Sequence, residues 1–363
     1  MIVTRAPGKL FIAGEYAVVE PGEPAVLVAV DRYLSVELTE GTGVGRIRSG
    51  EYGNAPLEWT RSADGVGVVV EHRPADYVLS ALDLIDRLRD ERRIPPRYFD
   101  LAIDSELDDA HGRKFGLGSS AAVTVAVIAA LNRFYRLSLS RTERFQLALL
   151  ATIRISPNAS GGDLAACTFG GWVGYRAPDR AALRSELAGS GVTAALSSPA
   201  WGSYRTTRLP APTQLELLVG WTGSPASTER LVNGVRHGRD DRSDSYEQIL
   251  GTSGRTVNAL ERALQDDDGT AVLDCLRTAR GVLQDFGRVS GVVIETPALR
   301  ALCDAAERHG AAGKPSGAGG GDCGIVLAPE RTSRRELLAD WEAHDIRRLE
   351  LRVHPAEGAS DDC

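Results

Sequence analysis

The sequence lacks three features: closely spaced cysteine pairs, a net positive charge and long apolar runs. Its five cysteines are widely spaced, odd in number and without a Cys-x-x-Cys pair, so we expect neither a disulfide framework nor a zinc site. A formal net charge of −7 argues against nucleic acid as a partner, because binding a phosphate backbone needs a basic face. No segment approaches the ~20 apolar residues of a membrane span, and the amino terminus lacks the layout of a signal peptide. These absences predict a cytoplasmic protein with reduced thiols and no membrane partner.

Several common catalytic motifs are also missing. The chain has neither a Walker motif, Gly-x-x-x-x-Gly-Lys-[Ser/Thr], nor a dinucleotide motif, Gly-x-Gly-x-x-Gly, ahead of an acidic residue. Protein-kinase motifs are absent, the histidines lack metal-ligand spacing, and no pattern of acid, base and hydroxyl suggests a protease. A phosphate-binding loop of the Walker or dinucleotide type is therefore excluded, and any phosphate site in this chain must use a different loop.

The length and the order of elements predict the fold class. A chain of 363 residues exceeds what one hydrophobic core usually organises, so we expect two lobes. Strand and helix patterns alternate without a sustained parallel arrangement, which indicates an α+β fold. Residues 177–212 are rich in Ala, Ser and Arg and weakly periodic. We place the boundary between a first lobe, 1–190, and a second lobe, 191–363, in that segment.

Periodicity and turn residues predict most of the elements. Helices are predicted at residues 76–89, 142–155, 243–265, 269–286, 296–310 and 333–344. Strands are predicted at residues 2–5, 18–19, 24–31, 33–38, 98–104, 215–221, 325–327 and 349–353. We interpret Pro7-Gly8 as a turn into the core and residues 41–50 as a loop or hairpin tip.

The segment 113–132 holds the strongest local pattern. Gly116 and Gly118 form a tight turn before two hydroxyls, Ser119 and Ser120, and an Ala-rich run that reads as a buried helix. Such a turn directs the free N–H groups and the positive dipole end of the helix at one place, with Lys114 beside it. That arrangement suits a phosphate. The alternative is that either serine merely caps a core helix.

Two further glycine-dense segments adjoin core elements, at residues 7–14 and 316–324. Glycine lets a backbone approach a bulky anion, so three such segments converging on a polyphosphate would explain all of them. The alternative is that the glycines mark hairpins. Lys9 follows Pro7-Gly8 and is either an ordinary surface residue of a turn or a cation at the edge of the core.

Three motifs, in the same order, resemble those of the GHMP kinases. They are Ala-Pro-Gly-Lys-Leu-Phe-Ile-Ala-Gly-Glu-Tyr at 6–16, Gly-Leu-Gly-Ser-Ser-Ala-Ala at 116–122 and Ser-Gly-Ala-Gly-Gly-Gly-Asp-Cys at 316–323. Segments 113–120, 219–227 and 290–297 are most similar to bacterial members that phosphorylate phosphomevalonate. The resemblance implies a two-lobed GHMP kinase fold, with a ribosomal-protein-S5-like first lobe and a ferredoxin-like second lobe. It also implies ATP and Mg²⁺ in the cleft between them.

The resemblance also implies roles for individual residues. The catalytic residues would be Lys9, between donor and acceptor, and Asp163, which matches the position of the active-site aspartate of mevalonate kinase. The ATP phosphates would be bound by Lys114, Gly116, Leu117, Gly118, Ser119 and Ser120, and Ser120 would also be the Mg²⁺ ligand. The substrate would be bound by Ser160, Gly161, Ser224, Ser227, Gly317, Gly319 and Gly320.

The chemistry of the implied acceptor decides between roles for Asp163. The second pKa of a phosphate monoester is about 6, so a phosphate acceptor is mostly ionised at neutral pH and needs no strong base. Charge neutralisation by Lys9, Lys114 and Mg²⁺ is then the larger effect, and Asp163 would orient Lys9 or a metal-bound water. With a hydroxyl acceptor, Asp163 would regain a role as base. It could also be the N-cap of the helix that follows.

Other interpretations remain open at the level of the sequence. The acceptor phosphate needs its own cations, for which Arg154, Arg113 and the turn at 224–227 are weak candidates. The resemblance to members that phosphorylate phosphomevalonate leaves three alternatives open: a mevalonate kinase, a diphosphomevalonate decarboxylase and a non-catalytic regulator that binds nucleotide. A homodimer is possible.

Overall fold

A computed structural model describes residues 1–53, 55–62, 65–70, 76–109, 111–224, 228–237 and 243–356, and the structural statements below concern these residues. Ser227, one of the predicted substrate-binding residues, lies outside them. None of the helices in the described part of the chain is both long and apolar enough to cross a membrane.

An eight-stranded mixed sheet forms the first lobe. Its strands are β1 (Ile2–Ala13), β2 (Pro24–Gly41), β3 (Gly45–Ser49), β4 (Leu57–Arg61), β5 (Val68–Val69), β6 (Tyr98–Ser105), β7 (Trp172–Arg176) and β8 (Arg205–Leu209). The strand order is β5-β4-β3-β6-β2-β7-β8, and β1 pairs with β2 off this path. β3 and β6 are parallel, whereas the other pairs are antiparallel.

The long second strand organises this sheet. β2 is 18 residues long, so it pairs with β1 along one edge and with both β7 and β6 along the other. The prediction of separate strands at 24–31 and 33–38 was wrong, because no Gly or Pro interrupts the chain between them. The predicted strand at 18–19 is a 3-10 turn, Ala17–Val19, and the predicted loop at 41–50 contains β3.

Six helices accompany this sheet in the described part of the first lobe. They are α1 (Tyr77–Glu91), α2 (Ser119–Tyr135), α3 (Arg141–Ile155), α4 (Gly162–Phe169), α5 (Arg180–Ser190) and α6 (Val192–Leu196). Local chemistry fixes several starts: the side chain of Asp76 accepts a hydrogen bond from the backbone N–H of Leu79, and Ser140 forms a capping box with Glu143. α2 is the central helix, and its run of small apolar residues packs on β1 and β2.

The second lobe is a four-stranded antiparallel sheet with helices. Its strands are β9 (Leu215–Trp221), β10 (Ala312–Pro315), β11 (Cys323–Pro329) and β12 (Arg347–Leu349), in the order β10-β11-β9-β12. Its helices are α7 (Thr228–His237), α8 (Ser243–Gln265), α9 (Gly269–Ser290), α10 (Pro297–Arg308) and α11 (Arg334–Glu342). This strand order is that of a ferredoxin-like fold, so the expected α+β, two-lobed architecture is confirmed.

The largest hydrophobic cluster in the described part of the chain is shared by the two lobes. Trp221 of β9 and Val257 and Leu260 of α8 are buried in the same cluster as the residues of β1 and β2. The chain also returns to the first lobe after β12: the N–H of His354 donates to the carbonyl of Ala29 at 2.9 Å. The first sheet extends to Leu209 and the second begins at Leu215, whereas the predicted boundary at 190/191 stays a prediction.

Candidate active site

A cavity of about 390 Å³ lies between the lobes. Its wall includes β1 and the residues just after it, the turn before α2, the connection from α3 to α4, part of α7, and the loop between β10 and β11. Of the residues predicted from the sequence, those that line it are Lys9, Lys114, Gly116, Leu117, Gly118, Ser119, Ser120, Ser160, Gly161, Asp163 and Gly317. The three glycine-dense segments of the sequence therefore do meet around one space.

The turn before α2 presents a free helix terminus to this cavity. Gly116 and Gly118 have φ angles of 81° and 83°, which side-chain-bearing residues rarely adopt. Gly118 is the N-cap and makes no side-chain hydrogen bond, so neither Ser119 nor Ser120 caps the helix. The N–H groups of Ser119 and Ser120 and both hydroxyls are thus available to an anion, whereas the N–H of Ala121 donates to the Gly118 carbonyl at 3.1 Å.

Lys9 lies directly against this terminus. Pro7 and Gly8 belong to β1, with a bulge between them, so the predicted turn at this point was wrong. The bulge lets a strand accommodate proline. The backbone N–H of Lys9 donates to the carbonyl of Leu117 at 2.9 Å, and its ammonium donates to the carbonyl of Gly116 at 3.3 Å. Lys9 is buried, and the remaining N–H groups of its ammonium can serve a ligand.

Asp163 is the anionic neighbour of Lys9. Its Oδ2 lies 3.7 Å from the Lys9 Nζ, and 35% of its side chain is exposed to the cavity. The N-cap of α4 is Gly161, with φ of 87°, and Asp163 lies in the first turn beyond it. The capping hypothesis for Asp163 is therefore wrong, although its charge still suits the helix dipole.

Two glycines of the loop between β10 and β11 pack against the backbone of Ile294 and not on the cavity. Gly319 and Gly320 pack on Ile294: a Cβ on Gly319 would lie 2.3 Å from the Ile294 carbonyl oxygen, and the N–H of Gly320 donates to that oxygen at 2.7 Å. Neither glycine lines the cavity, and neither does Ser224, whose carbonyl accepts from the N–H of Asp322 at 2.8 Å. Substrate contact by these three residues finds no support in this geometry.

Cations are few at the described surface of the cavity. Lys114 stands at the mouth, where its ammonium forms an exposed ion pair with Glu51 at 3.0 Å. Such a pair is weak, so Lys114 can exchange this carboxylate for a phosphate. Arg154 pairs with Asp83 at 2.7 Å in a different groove and does not line this cavity. The geometry therefore gives no support to its suggested role as an acceptor cation.

Arg113 does not reach the cavity either. Its guanidinium pairs with Asp109 at 2.6 Å and lies over the ring of Trp221 at 4.9 Å. It is not among the described residues of the cavity wall. The geometry therefore gives no support to the suggestion that Arg113 binds the acceptor.

Sequence reasoning missed several residues that shape the cavity. The buried guanidinium of Arg180 donates to the carbonyls of Asn158 at 3.1 Å and Ala159 at 2.9 Å, and also to that of Val19. The amide of Asn158 donates across the cavity to the side chain of Asn233 at 3.0 Å. These partners are distant in sequence, so no local pattern indicates them.

Glu15, which lines the cavity, and the neighbouring Tyr16 form contacts from the first lobe to the second. Glu15 contacts Lys314 of β10, and the hydroxyl of Tyr16 donates to the carbonyl of Ala318 at 2.5 Å. Tyr16 is packed among helices of the second lobe, with its ring 5.5 Å from that of Phe286. Burial, with a smaller effect from Glu15, raises the pKa of Tyr16, so its hydroxyl remains a donor at neutral pH.

Comparison with known proteins gives a consistent result. Residues 76–171 match the family model for the GHMP kinases N terminal domain, and residues 261–346 match that for the GHMP kinases C terminal domain. The chain is 45% identical to a phosphomevalonate kinase of Streptomyces, over 98% of this chain and 97% of the relative.

Solved structures are similar over nearly the whole chain. A phosphomevalonate kinase of Streptococcus pneumoniae, in complex with phosphomevalonate and AMPPNP, is 28% identical with a TM-score of 0.84, over 97% of this chain and 100% of that one. A protein of Listeria innocua is 33% identical with a TM-score of 0.90, over 98% of both chains.

Proposed function

The chain belongs to the GHMP kinases, and from that premise we propose that it transfers the γ-phosphate of ATP to the phosphate of 5-phosphomevalonate. The products are 5-diphosphomevalonate and ADP. One observation carries this proposal: the buried ammonium of Lys9 lies between the N-terminal turn of α2 and Asp163, in a cavity between the lobes. The names of the Streptomyces relative and of the S. pneumoniae complex support the choice of acceptor.

The turn before α2 would bind the phosphates of ATP. The absence of side chains at Gly116 and Gly118 lets the turn pack against Asp322 and Lys9, and the α2 dipole favours the negative charge of the nucleotide. Ser119 and Ser120 supply hydroxyl donors at the same place. Lys114 would close the mouth over the phosphates after leaving Glu51.

Lys9 would act on the transferred group. Phosphoryl transfer needs alignment and charge neutralisation more than it needs proton removal. The ammonium is held by two partners, the Gly116 carbonyl and the Asp163 carboxylate, which restrict its position. Because the acceptor phosphate has a second pKa of about 6, it is already ionised at neutral pH, and Asp163 orients Lys9 rather than removing a proton.

The residues at the cavity fit a magnesium ion that arrives with ATP. Mg²⁺ is usually held by one or two carboxylates together with substrate phosphates, and the Ser120 hydroxyl and the Asp163 carboxylate line the same cavity. Within the described residues no cluster of three or more His, Cys, Asp or Glu side chains forms a separate metal site. When bound, the ion would neutralise charge on the phosphates.

A substrate panel tests this proposal directly. The purified chain is given ATP with phosphomevalonate, mevalonate or diphosphomevalonate, and ADP and CO₂ release are measured together. We expect ADP release with phosphomevalonate, without CO₂. ADP release with mevalonate alone would identify a mevalonate kinase, whereas CO₂ release would identify a decarboxylase. ATP binding without turnover on any acid would support a non-catalytic regulator.

We also propose a cytoplasmic location and leave the homodimer as a prediction. The four cysteines in the described part of the chain, Cys167, Cys275, Cys303 and Cys323, are free in the structure, as suits a reducing compartment. Light scattering on the purified chain tests the oligomeric state, and a mass near the sequence value of 38.8 kDa would contradict a dimer.

A further inference from the structure

A buried ion pair joins the lobes beneath the wall of the cavity. The side chain of Lys314 is fully buried, and that of Glu15 is 4% exposed. The ammonium of Lys314 contacts the Oε1 of Glu15 and also donates to the carbonyl of Pro315 at 2.6 Å. The same Oε1 accepts from the N–H of Gly317 at 3.3 Å. The pair is thus bonded to the loop that follows β10.

The next residues of that loop are held by the end of β1 and the residues just after it. The hydroxyl of Ser316 accepts from the N–H of Phe11 at 2.9 Å and donates to its carbonyl at 3.0 Å. Two residues on, the carbonyl of Ala318 accepts from the hydroxyl of Tyr16. Since Gly317 is bonded to Glu15, three consecutive residues of the second lobe are fixed to the first lobe.

Lobe cohesion alone does not explain a charged pair at this place. The lobes already share a continuous apolar core, and well-packed apolar residues often replace a buried ion pair without loss of stability. The position of the pair is more informative. Glu15, Gly317 and Ala318 all line the cavity, and Gly317, with φ of 85°, faces open space.

We infer that Glu15 and Lys314 are a positioning pair for phosphoryl transfer. They hold residues 316–318 of the cavity wall at a fixed distance from Lys9. The alignment of the acceptor with Lys9 depends on that distance. Lys314 also neutralises a carboxylate that would otherwise repel an incoming polyanion. This inference rests on the proposed function, because its readout is transfer to the acceptor.

Single and double substitutions test the pair. Lys314→Met and Glu15→Gln each break it, and Lys314→Met/Glu15→Gln removes both charges together. We expect each single change to lower kcat by about 100-fold, as a shift of about 1 Å at a reacting centre does. The double variant should recover at least about tenfold over the worse single variant, because neither charge is then buried alone. Binding of AMPPNP, which is governed by α2, should change less than threefold.

A matched control separates positioning from stability. Arg280 and Glu295 form another largely buried pair, at 2.8 Å, within the second lobe and away from the cavity. Arg280→Met should lower the melting temperature without lowering kcat of the folded protein. If Lys314→Met does not fold, Lys314→Arg replaces it in the test. This variant keeps the positive charge but changes the shape of the charged group. It should fold, with kcat lowered about tenfold.

The outcomes distinguish this inference from the proposed function. No turnover of phosphomevalonate by the wild type would contradict the proposed function but not this inference. The kcat values of the wild type and the variants are then compared with the acceptor that the substrate panel identifies. If the panel identifies no acceptor, the rates of ATP hydrolysis are compared. Unchanged kcat in folded Lys314→Met and Lys314→Arg would overturn the positioning role. Losses that follow only the melting temperature, as in the Arg280→Met control, would also overturn it.

Discussion

The ammonium of Lys9 lies 3.7 Å from the carboxylate of Asp163, and both side chains are at the first turn of a helix. The cation is next to α2 and the anion is part of α4. The ammonium thus contacts both the Gly116 carbonyl, in the turn expected to bind the nucleotide phosphates, and the Asp163 carboxylate.

Lys9→Ala should lower kcat by about 1,000-fold while weakening ATP binding less than tenfold, because the ammonium acts on charge that develops during transfer. Steady-state kinetics and calorimetric titration with AMPPNP measure the two effects. Lys114→Ala is the control: it removes a cation at the mouth, so it should raise the KM for ATP more than it lowers kcat. Equal losses in binding and turnover for Lys9→Ala would contradict the role.

Asp163→Asn should lower kcat by about 10- to 100-fold with phosphomevalonate, because Lys9 loses its orienting partner but no base is lost. Activity of the wild type should fall as the pH drops through about 6, where the acceptor phosphate takes up a proton. The variant should show the same acid limb. A pH profile that loses this limb on substitution would instead assign the titration to Asp163 and identify it as a base.

Gly118→Ala should lower kcat, an effect that strain at its backbone angle alone does not explain. Any L residue at φ of 83° is strained by about 1–2 kcal/mol, and here a Cβ would also lie 2.7 Å from the Lys9 Cε. Gly43→Ala is a matched control, since Gly43 has φ of 80° with nothing within 4 Å of an added Cβ. Both should lose similar stability in urea unfolding, and only Gly118→Ala should lose kcat. Equal kcat in the two variants would show that Lys9 adjusts freely.

Arg180→Met should raise the KM for the acceptor, because the carbonyls of Asn158 and Ala159 lose the donor that holds their segment in the cavity wall. Each carbonyl left without a partner costs about 1–3 kcal/mol, so the melting temperature should also fall. Arg92→Met is the comparison: Arg92 donates to the Leu137 carbonyl at 2.7 Å and does not line the cavity. A KM that rises equally in both variants would mean that general loosening is the cause.

The local pattern of the sequence was sufficient for some parts of the site. The turn 116–120 was predicted with its helix start, because glycine, hydroxyls and an apolar run have a local cause. The start of α10 was predicted for the same reason: Thr296 caps it and Pro297 occupies the first turn. β9 and α8 have the predicted bounds as well.

Other parts depend on partners that are far away in the chain. Pro7 and Gly8 read locally as a turn, but pairing with β2 extends the strand through them. Segment 177–212 looks irregular, yet α5, α6 and β8 form there against the first lobe. Glu15 and Lys314 are 299 positions apart, so nothing near either residue indicates their contact.

The return of the chain after β12 has a consequence for biosynthesis. Val353 bridges Val30, and the carbonyl of His354 accepts from the N–H of Gly171 at 2.9 Å. The second lobe is therefore inserted between early and late pieces of the first. A nascent chain on the ribosome can make the helices of the first lobe early, but it closes that lobe only after residue 354 has left the exit tunnel.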